Sequence, residues 1–286
     1  MRPEQWTKNL VVFAALIFSQ NIGDKELGLK AIEAFIVLCV LSGTIYLIND
    51  IVDIEKDRLH ERKRTRPLPS GRLTVPVAAI AAIITASLGI YFASVIGTGF
   101  LFAAIGFVAL NLLYSFVIKR IALLDAMGIS ISFILRAIAG VEALRSLDES
   151  IQISPWLLIC TLFLSLFLAF CKRRHELLSM TDASGHREVL SQYSPALLDQ
   201  LVSITAGGSV FSYAIYTIWP DTVERFGTTA LVYTVPLVLI GVMRYLYLVY
   251  NEDKGGSPTD LLLHEKFLFI DVIAWIVLVV AILWDF

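Results

Sequence analysis

The chain has 286 residues, of which 57% are hydrophobic and only 17% are charged, and its formal net charge is −2. Soluble domains carry about a quarter charged residues, so this composition excludes an ordinary soluble protein. The near-zero net charge, with nearly all basic residues outside the apolar blocks, also argues against nucleic acid as a partner.

Long apolar blocks indicate an all-α, polytopic membrane protein, and we predict nine transmembrane helices. The predicted spans fall at about 9–22, 28–48, 75–95, 98–118, 124–144, 154–171, 197–219, 227–249 and 267–284. The first is the least certain in extent, because its apolar run reaches only from Leu10 to Phe18. No linker-like or low-complexity segment interrupts the series, so residues 1–286 are predicted to form one transmembrane domain.

The placement of basic residues predicts the orientation. When the N-terminus and the loops after even-numbered spans are put on one side, the opposite side keeps only Lys25, Lys30, Arg145 and Arg225, while Arg136 falls inside span 5. By the positive-inside rule the more basic side is cytoplasmic. We therefore expect a multi-pass protein of the cell membrane with a cytoplasmic N-terminus.

Three carboxylates mark the cytoplasmic end of span 2, where Asp50, Asp53 and Asp57 follow Asn49. On a helix, spacings of three, four and seven put them on one face, where they repel one another unless a cation lies between them. Mg²⁺ takes oxygen ligands, typically one or two carboxylates plus substrate phosphates. The ladder therefore predicts Mg²⁺ and a diphosphate. A solvated loop obeying the topogenic charge rule is the alternative, but that rule does not explain aligned acids.

Basic residues at the same membrane face complete the predicted diphosphate site. Lys63 and Arg66 belong to the basic run that follows the aspartates, and such cations bind phosphate oxygens. In span 4, Asn111, Tyr114 and Lys119 have spacings that share a helix face. We expect Lys119 to lie close to the aspartates.

Other polar residues leave alternatives open. Lys8 and Asn9 either point into the cytoplasmic mouth of a cavity or merely flank span 1. Arg136 and Glu142 in span 5 form either a structural ion pair or part of a substrate site, because buried charges in spans usually face a partner or a cavity. Asp125 is expected to orient one of the two cations that precede span 5.

A basic cluster, Lys172-Arg173-Arg174-His175-Glu176, ends span 6 on the predicted cytoplasmic side. It is either a topology determinant or the phosphate-binding counterpart of the aspartates, converging with them over one cavity. The glutamate inside the run favours a shaped site over a plain stop signal.

The pattern Asn49-Asp50-x-x-Asp53-x-x-x-Asp57, with Arg66-Pro67 and Gly71, resembles the first Asp-rich motif of the UbiA superfamily of intramembrane prenyltransferases. The resemblance implies nine transmembrane helices around a central cavity that opens to the cytoplasmic side and laterally to lipid. It also implies that the aspartates hold a Mg²⁺-diphosphate.

One departure points to a branch of that superfamily. Its aromatic prenyltransferases carry a second Asp-rich motif after span 6, where this chain has the basic cluster. That cluster, with the N-terminal Arg2-Pro3-x-Gln5-Trp6-x-Lys8-Asn9, resembles the decaprenyl-phosphate phosphoribosyltransferase branch. The resemblance implies transfer of 5-phosphoribose from phosphoribosyl diphosphate to a polyprenyl phosphate, with release of diphosphate, toward cell-wall arabinan precursors.

These considerations give a set of site predictions. The predicted catalytic residues are Asp50, Asp53, Asp57 and Lys119, of which the three aspartates bind Mg²⁺. The predicted substrate-binding residues are Lys8, Asn49, Lys63, Arg66, Tyr114, Arg136, Lys172, Arg173 and Glu176. The expected partners are phosphoribosyl diphosphate, a polyprenyl phosphate and membrane lipids, and a homo-oligomer is left open.

Two rival functions remain. A prenyltransferase acting on a prenyl diphosphate and an aromatic or other acceptor would share the aspartates but needs a second acidic metal site. A polytopic anion transporter would be expected to show internal repeats or broken mid-membrane spans, and the sequence displays neither.

Overall fold

The computed structural model describes residues 3–59, 63–179, 188–252 and 254–284, with the side chains of Pro3, Glu4, Lys56, Lys63 and Glu188 left aside. The described residues form α-helices and short 3₁₀ helices and contain no strand. The α-helices are α1 (Ala14–Phe18), α2 (Lys25–Val52), α3 (Ile54–Leu59), α4 (Val75–Ile96), α5 (Thr98–Phe116), α6 (Leu124–Arg145), α7 (Pro155–Leu178), α8 (Pro195–Ile218), α9 (Pro220–Phe226), α10 (Val235–Asn251), α11 (Pro258–His264) and α12 (Lys266–Trp284).

Helix starts follow local sequence signals. Asp24 caps α2 by accepting hydrogen bonds from the backbone N–H groups of Glu26 and Leu27, which satisfies donors that a helix start leaves unpaired. Ser194 caps α8 in the same way. The long helices α4, α7 and α8 each have proline in their first two positions, where the missing N–H costs no hydrogen bond.

Eight helices of the described residues are long and apolar enough to cross a membrane. They are α2, α4, α5 with the 3₁₀ turn to Arg120, α6, α7, α8, α10 with the 3₁₀ turn from Ala230, and α12. These correspond to predicted spans 2 to 9, so the chain is an all-helical, multi-pass membrane protein.

The first predicted span has a different form from the rest. Residues Pro3–Phe13 are a 3₁₀ helix, and only Ala14–Phe18 are α-helical. Because a 3₁₀ helix rises about 2.0 Å per residue, the whole segment reaches about 30 Å, close to the hydrocarbon thickness. A prediction that assumes the α-helical rise per residue underestimates the length of such a segment.

This N-terminal segment packs antiparallel to α2. The Phe13 and Phe35 rings are 5.5 Å apart, while Ala15 shares a buried cluster with Leu27 and Ala31. Its earlier residues therefore lie toward the end of α2 that carries the aspartates.

The chain divides into two compact units. Among the described residues, unit 1 holds those within 3–121 and 132–153, and unit 2 holds those within 122–131, 154–179 and 188–284. Each unit has its own buried apolar cluster, around α2, α4, α5 and α6 in unit 1 and around α7, α8 and α10 in unit 2. That the whole chain is a single domain stays a prediction.

Candidate active site

The acidic end of α2 is the centre of the site in unit 1. The helix ends at Val52, and Asp53 separates it from α3. Backbone hydrogen bonds from Asp53 N–H to Asn49 O, 2.9 Å, and from Asp57 N–H to Asp53 O, 2.8 Å, preserve the helical path across the break. The helix is therefore interrupted at Asp53, while the predicted spacing of about one turn per aspartate is kept.

Arg66 bridges two of the aspartates. Its Nη1 lies 2.5 Å from Asp57 Oδ2 and 3.4 Å from Asp50 Oδ1. The Asp57 side chain is only 5% exposed, so its charge requires a close partner. Because one nitrogen contacts both carboxylates, Asp50 and Asp57 face a common point.

Lys119 meets the third aspartate. Its Nζ lies 3.2 Å and 3.1 Å from the two carboxylate oxygens of Asp53. These residues are 66 positions apart, so the tertiary fold brings the 3₁₀ turn after α5 to the end of α2. The expectation that Lys119 lies near the aspartates is confirmed.

The carboxylates are thus divided between two cations. Within the described ranges, no three His, Cys, Asp or Glu side chains are grouped to hold a metal ion. The structure brings Asp50 and Asp57 to one point and turns Asp53 to Lys119, which differs from a preformed three-aspartate metal site. Asn49 contributes a buried Oδ1 that accepts no hydrogen bond from described residues.

The remaining predicted residues of unit 1 lie along α5 and the N-terminal segment. Tyr114 is half-buried on α5, one turn beyond Asn111, whose Nδ2 donates to Ser132 Oγ at 3.0 Å. Lys8 is also half-buried. The Lys63 side chain lies outside the described part.

Arg136 and Glu142 do not form the ion pair that was one of the two expectations. Instead, Arg145 forms an ion pair with Glu142, with 2.8 Å between Arg145 Nη1 and Glu142 Oε1. Arg136 instead donates to Asn9 Oδ1 at 2.8 Å and to the carbonyl and hydroxyl oxygens of Ser132. A residue of the N-terminal segment thus replaces the expected carboxylate.

In unit 2, the basic cluster at the end of α7 is an ion-pair network. The Arg173 side chain is 1% exposed, its Nε lies 2.5 Å from Asp125 Oδ2, and its Nη1 also contacts Glu176. This burial places Arg173 in an ion-pair network, and its predicted binding of substrate stays a prediction. Asp125 serves Arg173 rather than the cations before span 5, so that expectation is corrected.

The neighbours of Arg173 differ in exposure. Lys172 is 39% exposed and lies 4.0 Å from Glu176. Arg174 pairs with Asp199 at 2.6 Å and stacks over the Tyr250 ring, with Cζ 4.0 Å from the ring centroid. Lys172 is therefore the cation of the run that is most open to a ligand.

Tyr193 also belongs to the network in unit 2, although no sequence motif indicates it. Its hydroxyl donates to Asp125 Oδ1 at 2.6 Å and accepts the Leu123 N–H at 2.6 Å. Burial and the hydrogen bond to Asp125 raise the pKa of Tyr193 above its ordinary value. Leu123 has φ of +68°, a conformation that costs a non-glycine residue about 1–2 kcal/mol. No local sequence pattern predicts the hydrogen bond between Tyr193 and Asp125, because the two residues are 68 positions apart.

Whether the network in unit 2 and the aspartates of unit 1 converge over one cavity stays a prediction. Each unit separately brings acidic and basic side chains together at helix ends.

Comparison with known proteins identifies the family. The model of the UbiA prenyltransferase family matches residues 10–284, which is nearly the whole chain. The chain belongs to the UbiA prenyltransferase family. It is a membrane transferase, and the resemblance inferred from the Asp-rich motif is confirmed.

Similar sequences and structures extend across this UbiA-family chain. Two proteins named decaprenyl-phosphate phosphoribosyltransferase are similar, from Corynebacterium glutamicum (34% identical, covering 98% of this chain and 84% of that protein) and Mycolicibacterium smegmatis (31%, 96% and 88%). A solved UbiA homolog from Archaeoglobus fulgidus, bound to GPP and Mg²⁺, has a TM-score of 0.72 at 17% identity and covers 99% of this chain and 97% of that one. This structural likeness shows that the fold is shared.

Proposed function

We propose that this UbiA-family chain transfers 5-phosphoribose from phosphoribosyl diphosphate to a polyprenyl phosphate of decaprenyl type and releases diphosphate, toward cell-wall arabinan precursors. One observation carries the choice of substrates. The relative that is 34% identical over 98% of this chain bears the name decaprenyl-phosphate phosphoribosyltransferase. The site geometry supports a diphosphate donor.

The end of α2 suits the diphosphate and a Mg²⁺ ion. Asp50 and Asp57 face a common point, and the Asn49 oxygen has no hydrogen-bond donor among the described residues. Two carboxylates and substrate phosphates are a typical Mg²⁺ environment. We assign these three residues as the ones that would hold Mg²⁺, with Asp53 as the carboxylate that orients Lys119. A bound Mg²⁺ would neutralise charge on the departing diphosphate.

The cations around the aspartates bind the diphosphate and favour its departure. Arg66 and Lys119 already lie against carboxylates, so an incoming diphosphate exchanges one anionic partner for another. Their positive charges, with that of Lys63, stabilise the negative charge that grows on the leaving group.

The acceptor needs no general base, because a polyprenyl phosphate oxygen is already anionic at neutral pH. We assign Lys8 and Lys172 to phosphate oxygens of the substrates, and Tyr114 to the wall of the ribose site. Arg173 and Glu176 fix the end of α7 that carries Lys172 through their ion pair. The lipid chain would lie against the apolar helix faces, in contact with membrane lipids.

We further propose that the protein lies in the cell membrane with its N-terminus and the aspartates on the cytoplasmic side, where a soluble donor is available. The charge distribution supports this orientation. The antiparallel packing of the N-terminal segment on α2 also supports an N-terminus on the side of the aspartates. The oligomeric state stays a prediction.

The test is a transfer assay with the purified full chain. Labelled phosphoribosyl diphosphate, Mg²⁺ and polyprenyl phosphate should give label in the extracted lipid. Asp50→Ala should abolish this transfer. Glu55→Gln is the matched control, because Glu55 is a neighbouring carboxylate that is 77% exposed, and it should retain activity.

A parallel assay with a labelled prenyl diphosphate and an aromatic acceptor tests the rival prenyltransferase. If only the prenyl donor gives a labelled lipid product, the proposed phosphoribosyl transfer is wrong and prenyl transfer takes its place. Near-normal phosphoribosyl transfer by Asp50→Ala would instead contradict the assigned site.

A further inference from the structure

Arg136 is a buried guanidinium whose described hydrogen-bond partners are all neutral. The residue is 5% exposed. Its Nε donates to Asn9 Oδ1 at 2.8 Å, and its Nη1 donates to Ser132 O at 3.1 Å and to Ser132 Oγ at 2.9 Å. A buried charge is costly unless it is paired, and an ionisable residue within a span usually marks a functional site.

Aromatic rings supply only part of the missing negative charge. The Arg136 Cζ lies 4.6 Å from the Phe107 ring centroid and 5.1 Å from that of Phe133, within cation–π range. These contacts and the neutral acceptors orient the guanidinium without neutralising it. Its Nη2 donates no hydrogen bond to any side chain or carbonyl in the described ranges.

The position of Arg136 relates it to the aspartates. Asn9 Oδ1 also accepts a hydrogen bond from Ser42 Oγ at 3.4 Å, which ties the Arg136 network to α2. Ser42 and Asp50 are eight residues apart, so they share a helix face and are separated by about 12 Å along the axis.

Helix α5 also connects the Arg136 network to the end of the site that carries the aspartates. Ser132 also receives the hydrogen bond from Asn111 on α5, eight residues before Lys119. All these residues belong to unit 1. Arg136 therefore lies on the same polar side of α2 and α5 as the diphosphate-binding end, about two helical turns deeper.

We propose that Arg136 is the centre of a second anion subsite, which takes a phosphate monoester, and that Asn9 is its positioning residue. This inference rests on the proposed function, in which both substrates carry a phosphate monoester: the 5-phosphate of the donor and the phosphate of the lipid acceptor. Either group would supply the negative charge that the described surroundings of Arg136 lack. A prenyl diphosphate carries no such group beyond its diphosphate.

The subsite is tested with four variants of the full chain: Arg136→Gln, Arg136→Lys, Asn9→Ala and, as matched control, Arg145→Gln. Arg145 also lies on α6 but is paired with Glu142 and 38% exposed. Arg136→Gln should raise the KM of one substrate by roughly 10- to 100-fold, as expected for a lost charged hydrogen bond. The substrate affected identifies the phosphate, and inhibition by inorganic diphosphate should not change.

Asn9→Ala should raise the same KM by a smaller factor, on the order of 3- to 10-fold. Arg136→Lys should recover part of the loss, because the positive charge is kept. Unchanged KM values for both substrates in folded Arg136→Gln would overturn the subsite. If that variant does not fold, wild-type KM values in Asn9→Ala would overturn it.

Thermal protection by inorganic phosphate, measured with Mg²⁺ and saturating diphosphate, tests the subsite without catalysis. Phosphate should raise the Tm of the wild type and of Arg145→Gln. It should raise the Tm of Asn9→Ala by less and should not raise that of Arg136→Gln. If the wild type transfers no phosphoribose yet shows Arg136-dependent protection, the proposed function fails and the subsite stands. If phosphate protects all variants equally, the subsite is contradicted while the proposed function is not.

Discussion

Replacing Gly140 by alanine should separate the N-terminal segment from α6. A Cβ at this position would lie 2.5 Å from the carbonyl oxygen of Val12 and 3.0 Å from its Cα. Both are backbone atoms, so no side-chain rotation can relieve the contact. Val12 is fully buried, which leaves the 3₁₀ helix little room to retreat.

The magnitude follows from two opposing terms. Overpacking of a tight contact costs about 1–3 kcal/mol, whereas alanine in place of glycine within a helix gains up to about 1 kcal/mol. Because the contact is with backbone atoms, we take the upper part of the overpacking range, about 2–3 kcal/mol, and expect a net loss of about 1–2 kcal/mol in the free energy of unfolding. Asn9 is one 3₁₀ turn from Val12, so its displacement should also weaken the hydrogen bond to Arg136 and raise a substrate KM.

The assay is thermal unfolding of the purified chain in detergent, with Gly106→Ala as the matched control. A Cβ on Gly106 would lie 3.7 Å from Leu135 Cδ2, an ordinary contact, so this variant should match or exceed the wild type in Tm. A Gly140→Ala protein as stable as Gly106→Ala, with wild-type KM values, would refute the packing of the N-terminal segment against α6.

Three further outcomes are expected. Tyr193→Phe removes the hydrogen bonds to Asp125 and to the Leu123 N–H, and should lower the free energy of unfolding by about 1–3 kcal/mol in a denaturant or thermal titration. Leu123→Gly should raise the Tm, since glycine adopts a positive φ without strain; a lower Tm would show that the Leu123 side chain matters more than its backbone. Burial opposes ionisation of Glu265, but hydrogen bonds from Arg244 and the Leu268 N–H outweigh it and lower its pKa. Its stabilisation is therefore present above the ordinary carboxyl pKa of about 4.3 and lost as the pH falls through the lowered value, and Glu265→Gln should flatten the acid limb of the Tm–pH curve.

Most of the fold could be predicted from hydropathy alone. Eight predicted spans correspond to long helices because an α-helix must be apolar over about 20 residues to cross lipid. The exception is the N-terminal segment, whose 3₁₀ geometry no apolar count reveals. The segment packs closely against Gly140, a contact between residues far apart in the chain.

The candidate site was predictable where it follows local spacing. Asp50, Asp53 and Asp57 recur at helical intervals, and the basic run including Arg66 follows within the same loop. The division of these carboxylates between Arg66 and Lys119 could not be predicted, because several cations follow the aspartates and spacing does not select among them. Only the approach of α5 to α2 makes that selection.

Hydropathy and helical spacing are properties of consecutive residues, so the polytopic membrane class and the acidic, diphosphate-type motif could be predicted without a structure. Which charges are paired and which are not depends on the tertiary structure. It buried Arg173 against Asp125 and left Arg136 with neutral partners. Both arginines lie within apolar helices, and their different environments follow from neighbours 48 and 127 residues away.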